Sequence, residues 1–191
     1  DWWHWRLQRE DRNRTSVQEL MDCSKATFPL DIEGCDGGEV EYPLRWASEH
    51  RVLHERDDRY DRRDEHCPSR EVSYPTLHPK RMHHTGVWQE RDLETSLAAY
   101  IFHFGIVGIS FDASDEHFQN LGRGIYKPKH CSNNRVNHAM VLVGYTPTYY
   151  IIKNSWGEDW GDGGYFKLAR RKLRMCGVAE VVSIVLDAEI R

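Results

Sequence analysis

Two short stretches of this chain carry residues able to do chemistry. Asn137-His138-Ala139 opens one apolar run, and Lys153-Asn154-Ser155-Trp156-Gly157 closes the next. If both runs are strands, the imidazole of His138 and the carboxamide of Asn154 can meet across neighbouring strands. A pair of that kind activates a thiol: the imidazole manages the proton and the carboxamide holds the ring. A purely structural His-Asn pair under a packing tryptophan would use the same residue types. The nucleophile is not evident. The first cysteine is Cys23, and nothing before it reads as a reactive-thiol motif.

The elements that must position these residues differ between the two halves of the chain. Ser16-Val17-Gln18-Glu19 reads as a helix start, with Ser16 as cap and Glu19 three residues on. Residues 24–38 read as loop and end in Gly34-Cys35-Asp36-Gly37-Gly38. Paired glycines let backbone approach closely or take positive φ. A second helix follows, with Val40, Leu44 and Ala47 on one stripe and Pro43 confined to its first turn. Residues 50–65 mix charges of both signs and read as a solvated surface segment. Residues 66–90 carry Pro68, Pro75 and Pro79 and read as a connection. Residues 93–104 form an amphipathic helix stopped at Gly105. Short apolar strands follow over 106–111, 139–145, 149–153, 164–169 and 181–186. A helix-rich half and a strand-rich half predict an α+β protein, divided at 1–88 and 89–191, with a cleft between the halves.

Composition narrows the class. The chain has 191 residues and a net charge of -4. A pI near 6.3 argues against a general nucleic-acid binder. Mean hydropathy is -0.73, and no apolar run approaches the ~20 residues of a membrane span. His83-His84 have no second ligand pair at suitable spacing, so no metal and no cofactor is expected. Trp2, Trp3 and Trp5 stand beside Arg6 and Arg9. They read as the end of a helix with one aromatic face, or as sequence from outside the fold. The chain begins at Asp1 without an initiator Met or signal peptide, which reads as a processed product or fragment.

In order and content these blocks resemble the papain-like cysteine peptidases. Residues 16–23 are similar to the family's helix ending in Asp-Cys. Cys35-Asp36-Gly37-Gly38 is similar to its Cys-Asn-Gly-Gly loop. Asn137-His138-Ala139 with Val143-Gly144-Tyr145 resembles its histidine strand. Lys153 to Gly157, then Trp160-Gly161 and Gly163-Gly164-Tyr165, resembles its asparagine strand and the turn beyond.

The resemblance implies a papain-like fold, a helix-rich half and an antiparallel β-barrel-like half. It implies His138 and Asn154 as catalytic residues, with Trp156 covering their hydrogen bond. Gly38, with Gly37 beside it, would pair with an extended peptide. The Asn137 carbonyl would accept from the residue before the cut. Val40, Ala139 and Val181 would line the apolar pocket for the residue two positions upstream of it. Disulfides Cys23–Cys67 and Cys131–Cys176 are implied, leaving Cys35 over. The implied partners are peptide or protein substrates, or a propeptide or protein inhibitor in the cleft, in a lysosomal or extracellular setting.

One block of the family is missing. Its nucleophile sits in a Cys-Gly-Ser-Cys-Trp signature, about 130–150 residues before the His and Asn. Counting back from His138 or Asn154 meets no such signature. The family's partner for Cys35 belongs to that same signature. Two expectations follow: an N-terminally incomplete peptidase inactive on its own, or a non-catalytic relative that binds peptides or inhibitors.

Overall fold

A computed structural model describes residues 14–68, 77–85, 93–129, 131, 135–170, 175–178 and 182–190. The chain divides into two compact units, Asp1–Met82 with Val185–Arg191, and His83–Ile184.

In the first unit, helix α1 spans Val17–Thr27. Ser16 Oγ caps it by accepting from the Glu19 N–H at 2.9 Å. The Glu19 carboxylate accepts from the Leu53 N–H at 2.6 Å. It therefore ties the helix to a distant segment, a use that the capping-box pattern does not foresee. The rest of that face is polar and buried as well. Gln18 Nε2 donates to the Arg63 carbonyl at 2.7 Å, and its Oε1 accepts from the Asp61 N–H at 3.1 Å. Asp22 accepts from the Glu65 N–H at 2.9 Å. The charged segment 50–65 is thus strapped to α1 by its backbone, and Val52, Leu53 and His54 are buried. Charge composition does not reveal this, because the strap is made of main-chain groups.

Residues 24–38 are more ordered than a loop. Strands β1 (Ile32–Gly34) and β2 (Gly37–Gly38) pair antiparallel there. Helix α2 spans Glu41–Glu49, with Pro43 in its first turn. Its Trp46 and Ala47 pack with Cys23 and Val52, and Leu20 and Phe28 close around them. Strand β3 covers Leu77–Thr85, inside the stretch read as a connection.

In the second unit, helix α3 (Leu93–Phe104) ends at Gly105, whose N–H reaches the Ile101 carbonyl at 2.9 Å. Then come β4 (Val107–Phe111), α4 (Glu116–Gln119), β5 (Ile125–Tyr126), β6 (His138–Tyr145), β7 (Tyr149–Lys153) and β8 (Tyr165–Ala169). A 3₁₀ turn at Met175–Gly177 precedes β9 (Val182–Ile190). The strands lie in the order β3-β9-β4-β6-β7-β8-β5. Every pairing described from β9 to β8 is antiparallel, and β5 joins β8 parallel.

Alternation along the strands builds the core. Val107, Ile109 and Phe111 of β4 are buried, as are Tyr150 and Ile152 of β7 and Phe166 and Leu168 of β8. Helices and a mostly antiparallel sheet make the fold α+β, as expected. The barrel-like expectation is corrected. The sheet is open, with β3 and β5 at its two edges and no pairing between them among the described residues. Short apolar strands look alike to a sequence reader whether or not the end strands meet.

Candidate active site

His138 is the first residue of β6, and Asn154 follows the last residue of β7. The two strands pair antiparallel with Val141 opposite Lys153, so these two ends lie side by side. His138 Nε2 stands 2.8 Å from Asn154 Oδ1. Asn154 is 6% exposed and His138 is half-buried.

The protonation of the ring follows from a neighbour. Asn154 Oδ1 also accepts from the Ser155 N–H at 2.8 Å. Turning the amide over would aim two donors at each other. The oxygen therefore faces both groups, and Nε2 must carry a proton. Nδ1 is then the nitrogen left to take or give a proton. Asn154 Nδ2 is buried with no hydrogen-bond partner among the described residues.

The backbone around both residues is closed. The Asn154 N–H donates to the Gly164 carbonyl at 2.9 Å, and the Gly164 N–H to the Trp160 carbonyl at 2.9 Å. This tight return needs glycine at 161. Its φ is +64°, and an added Cβ would sit 2.5 Å from the Tyr165 carbonyl oxygen. On the other strand, His138 lies opposite Phe111 of β4. The Asn137 N–H donates to the Phe111 carbonyl at 3.1 Å, and Asn137 Oδ1 accepts from the Ala113 N–H at 2.9 Å.

Trp156 lies against His138, with ring centroids 5.1 Å apart and planes tilted by 34°. Its indole is 39% exposed and rests on Phe118 at 5.5 Å and Trp160 at 5.3 Å. An apolar cover of this kind keeps water from competing for the Nε2–Oδ1 bond. Phe118 is fully buried and also touches Phe111, Tyr126 and Phe166. The sequence reading passes over Phe118 because α4 is a single turn, too short to show a period. Its only local signal is Asp115, whose side chain caps the turn.

The other expected site residues fall as follows. Ala139 is exposed on β6, with Ser110 as its register partner. Gly37 and Gly38 form β2 in the first unit, and both are exposed. Gly38 has φ +152°, a backbone conformation that strains any side chain, and an added Cβ would also lie 3.2 Å from the Asp31 carbonyl oxygen. Val40 is half-buried at the start of α2. Val181 lies outside the described residues. Cys23 is bonded to Cys67 and Cys131 to Cys176, with S–S distances of 1.96 and 2.01 Å.

Cys35 is the one free cysteine and is exposed. Its N–H donates to Asp64 Oδ1 at 2.8 Å, and Asp64 also pairs with Lys25 at 2.6 Å. Desolvation, then the Asp64 carboxylate, pushes the thiol above its ordinary value. A nucleophilic cysteine needs the opposite shift. No group of three or more His, Cys, Asp or Glu among the described residues is arranged to hold a metal.

Comparison with known proteins bears on the family and the fold. A family model described as papain family cysteine protease matches residues 4–186. Cathepsin K of Mus musculus is 32% identical over 173 residues, 88% of this chain and 50% of that protein. The chain spans about half the length of the curated relatives it matches. Among solved structures, the Carica candamarcensis cysteine protease CMS1MS2 in complex with E-64 superposes with a TM-score of 0.77 at 27% identity. That match covers 90% of this chain and 76% of the other. Digestive procathepsin L 3 from the Tenebrio molitor larval midgut gives a TM-score of 0.76 at 29% identity, covering 93% of this chain and 57% of that one.

Proposed function

Since the chain belongs to the papain family of cysteine proteases, we propose that His138 and Asn154 serve a Cys-His-Asn site that hydrolyses peptide bonds. The observation that carries this reading is the 2.8 Å contact between Nε2 and Oδ1, with the Ser155 N–H fixing the carboxamide. A thiolate attacks the scissile carbonyl carbon, and the imidazolium protonates the departing amine as the C–N bond breaks. Water then attacks the thioester. The imidazole takes the proton from that water, the C–S bond breaks to restore the thiolate, and the acid product leaves. Asn154 holds the ring throughout.

The thiolate is not among these residues. Cys23, Cys67, Cys131 and Cys176 are in disulfides, and Cys35 is held in its thiol form. No cysteine here stands in a Cys-Gly-Ser-Cys-Trp context. The 191-residue chain by itself is therefore inactive, and the nucleophile is assigned to polypeptide beyond it. The absent nucleophile also favours a second reading, a non-catalytic protein that binds peptides, a propeptide or an inhibitor.

Substrate contacts follow the same reading. Gly38 and Gly37 pair with the extended peptide backbone, and the Asn137 carbonyl accepts from the residue before the cut. Val40, Ala139 and Val181 read the side chain two positions upstream and favour an apolar one. Two disulfides suit an oxidising setting, lysosomal or extracellular. No helix among the described residues is long and apolar enough to cross a membrane.

The test compares two proteins. The 191-residue chain is assayed with a fluorogenic peptide and an epoxide label, and so is a form extended by the upstream coding sequence. Turnover by the extended form alone, abolished by His138→Ala, supports the peptidase. Upstream sequence without a Cys-Gly-Ser-Cys-Trp motif supports the binder. Turnover by the 191-residue chain itself overturns the assignment of the nucleophile.

A further inference from the structure

Charge is unevenly distributed along the chain. It holds 30 Asp and Glu against 26 Lys and Arg, yet residues 117–157 contain no acid and carry Arg123, Lys127, Lys129, Arg135 and Lys153. Residues 163–170 add Lys167 and Arg170, again with no acid. These stretches supply β5 to β8, so part of the sheet in the second unit opposes the net charge of the whole chain, which is -4.

The pleat sorts these residues between two faces. Tyr126, Tyr150, Ile152, Phe166 and Leu168 are buried and mark the core face. Ile125, Ile151, Lys153, Tyr165 and Lys167 alternate with them on the other face, where Ile125 is 42% exposed and Tyr165 39%. Register sets three lysines in a line there. Lys153 of β7 lies opposite Tyr165 of β8. Lys167 stands two residues along β8, opposite Ile125 of β5. Lys127 comes two residues after Ile125, exposed where its neighbour Tyr126 is buried. Each step crosses one strand and advances two residues in the same direction. The three positions therefore follow a straight diagonal with steps of about 8 Å. Lys167 Nζ sits 5.8 Å from the centre of the Tyr149 ring. None of the three lysines makes an ion pair among the described residues.

We propose that this diagonal is an interaction surface for an extended acidic segment of a partner protein, with Glu or Asp at alternate positions. Side chains on one side of an extended peptide recur about every 7 Å, a spacing that flexible lysine stems can match. The acids meet Lys153, Lys167 and Lys127 in turn, and their methylene stems lie on Ile151, Tyr165 and Ile125. Nucleic acid is disfavoured as the occupant by the pI near 6.3. The inference does not depend on the catalytic pair, and its test needs no nucleophile.

The probe is a fluorescently labelled peptide alternating glutamate and threonine, titrated with the 191-residue chain at low salt and followed by anisotropy. It should bind more tightly than an isomer with its glutamates in one block, and a glutamine version should not bind. Lys127→Gln, Lys153→Gln and Lys167→Gln should each weaken binding about fivefold, the upper scale of an exposed ion pair. Arg45→Gln, on α2 of the first unit, should leave it unaltered. Lys167→Met, which keeps the stem on Tyr149, serves if the glutamine form does not fold. Equal affinity for the alternating and blocked peptides overturns the proposal, because it marks a general polyanion surface. Binding of heparin with neither peptide bound also overturns it and assigns the face to a polysaccharide. So does an affinity that the three lysine variants leave unchanged.

Discussion

Which nitrogen of His138 carries the proton is decided by a main-chain group, the Ser155 N–H. It occupies the same carboxamide oxygen as Nε2 and leaves the amide one orientation. A carboxylate at this position would add a buried negative charge beside the ring and favour imidazolium. In a form that carries the nucleophile, Asn154→Ala should lower kcat/KM on the order of 10²-fold, the scale of a misplaced acid–base group. Cys35 offers the contrary case of a thiol kept protonated. Desolvation and the Asp64 carboxylate both disfavour its thiolate. Iodoacetamide should alkylate it more slowly at pH 7.5 than it alkylates a free cysteine, with the rate still climbing in the alkaline range. A fast, pH-independent rate would mark Cys35 as an activated nucleophile and reopen the catalytic assignment.

Elements were legible where their signals are local. The cap at Ser16, the stop at Gly105 and the span of β7 could all be read from neighbouring residues, and the structure has them there. The meeting of His138 with Asn154 at the candidate site was legible for the same reason, since each sits at a strand end marked by apolar periodicity. What was not legible depends on distant partners. Gln18, Glu19 and Asp22 look like an exposed polar face until residues 53–65 fold over them. The strands β3 and β5 and the turn α4 are short or edge elements that carry little pattern of their own. The cap at Ser16 is buried, so Ser16→Ala should cost about 1 kcal/mol by denaturant unfolding, with the slope unchanged. Asp64 adds a pH dependence of known sign. Its bond to Lys25, then the Cys35 N–H, lowers its pKa, so its contribution to stability is present at neutral pH and lost as pH falls through that depressed value. Asp64→Asn should flatten the acid limb of the stability curve, and an unchanged limb would show that the ion pair is too well solvated to matter.

Each disulfide lies inside one of the two compact units, Cys23–Cys67 in the first and Cys131–Cys176 in the second. They close stretches of similar length, with sequence separations of 44 and 45. Chain-entropy reasoning gives each about 4 kcal/mol. Similar energies need not have similar effects on the site. Cys176 is wired to it, because its carbonyl accepts from the Asp112 N–H at 2.7 Å, where β4 gives way to the segment that carries α4. Ser110 of β4 also donates to the Gly177 carbonyl at 3.0 Å. Cys23 is wired instead to the helices of its own unit. Replacing both Cys131 and Cys176 with alanine should therefore lower the melting temperature and also speed exchange of the His138 Nε2–H. Replacing both Cys23 and Cys67 should lower stability by a similar amount while leaving that proton as protected as before at temperatures well below the melt. Equal loss of protection from both double variants would mean that the cooperative unit is the entire chain, and the site would then owe its rigidity to contacts other than the β4 turn and its disulfide.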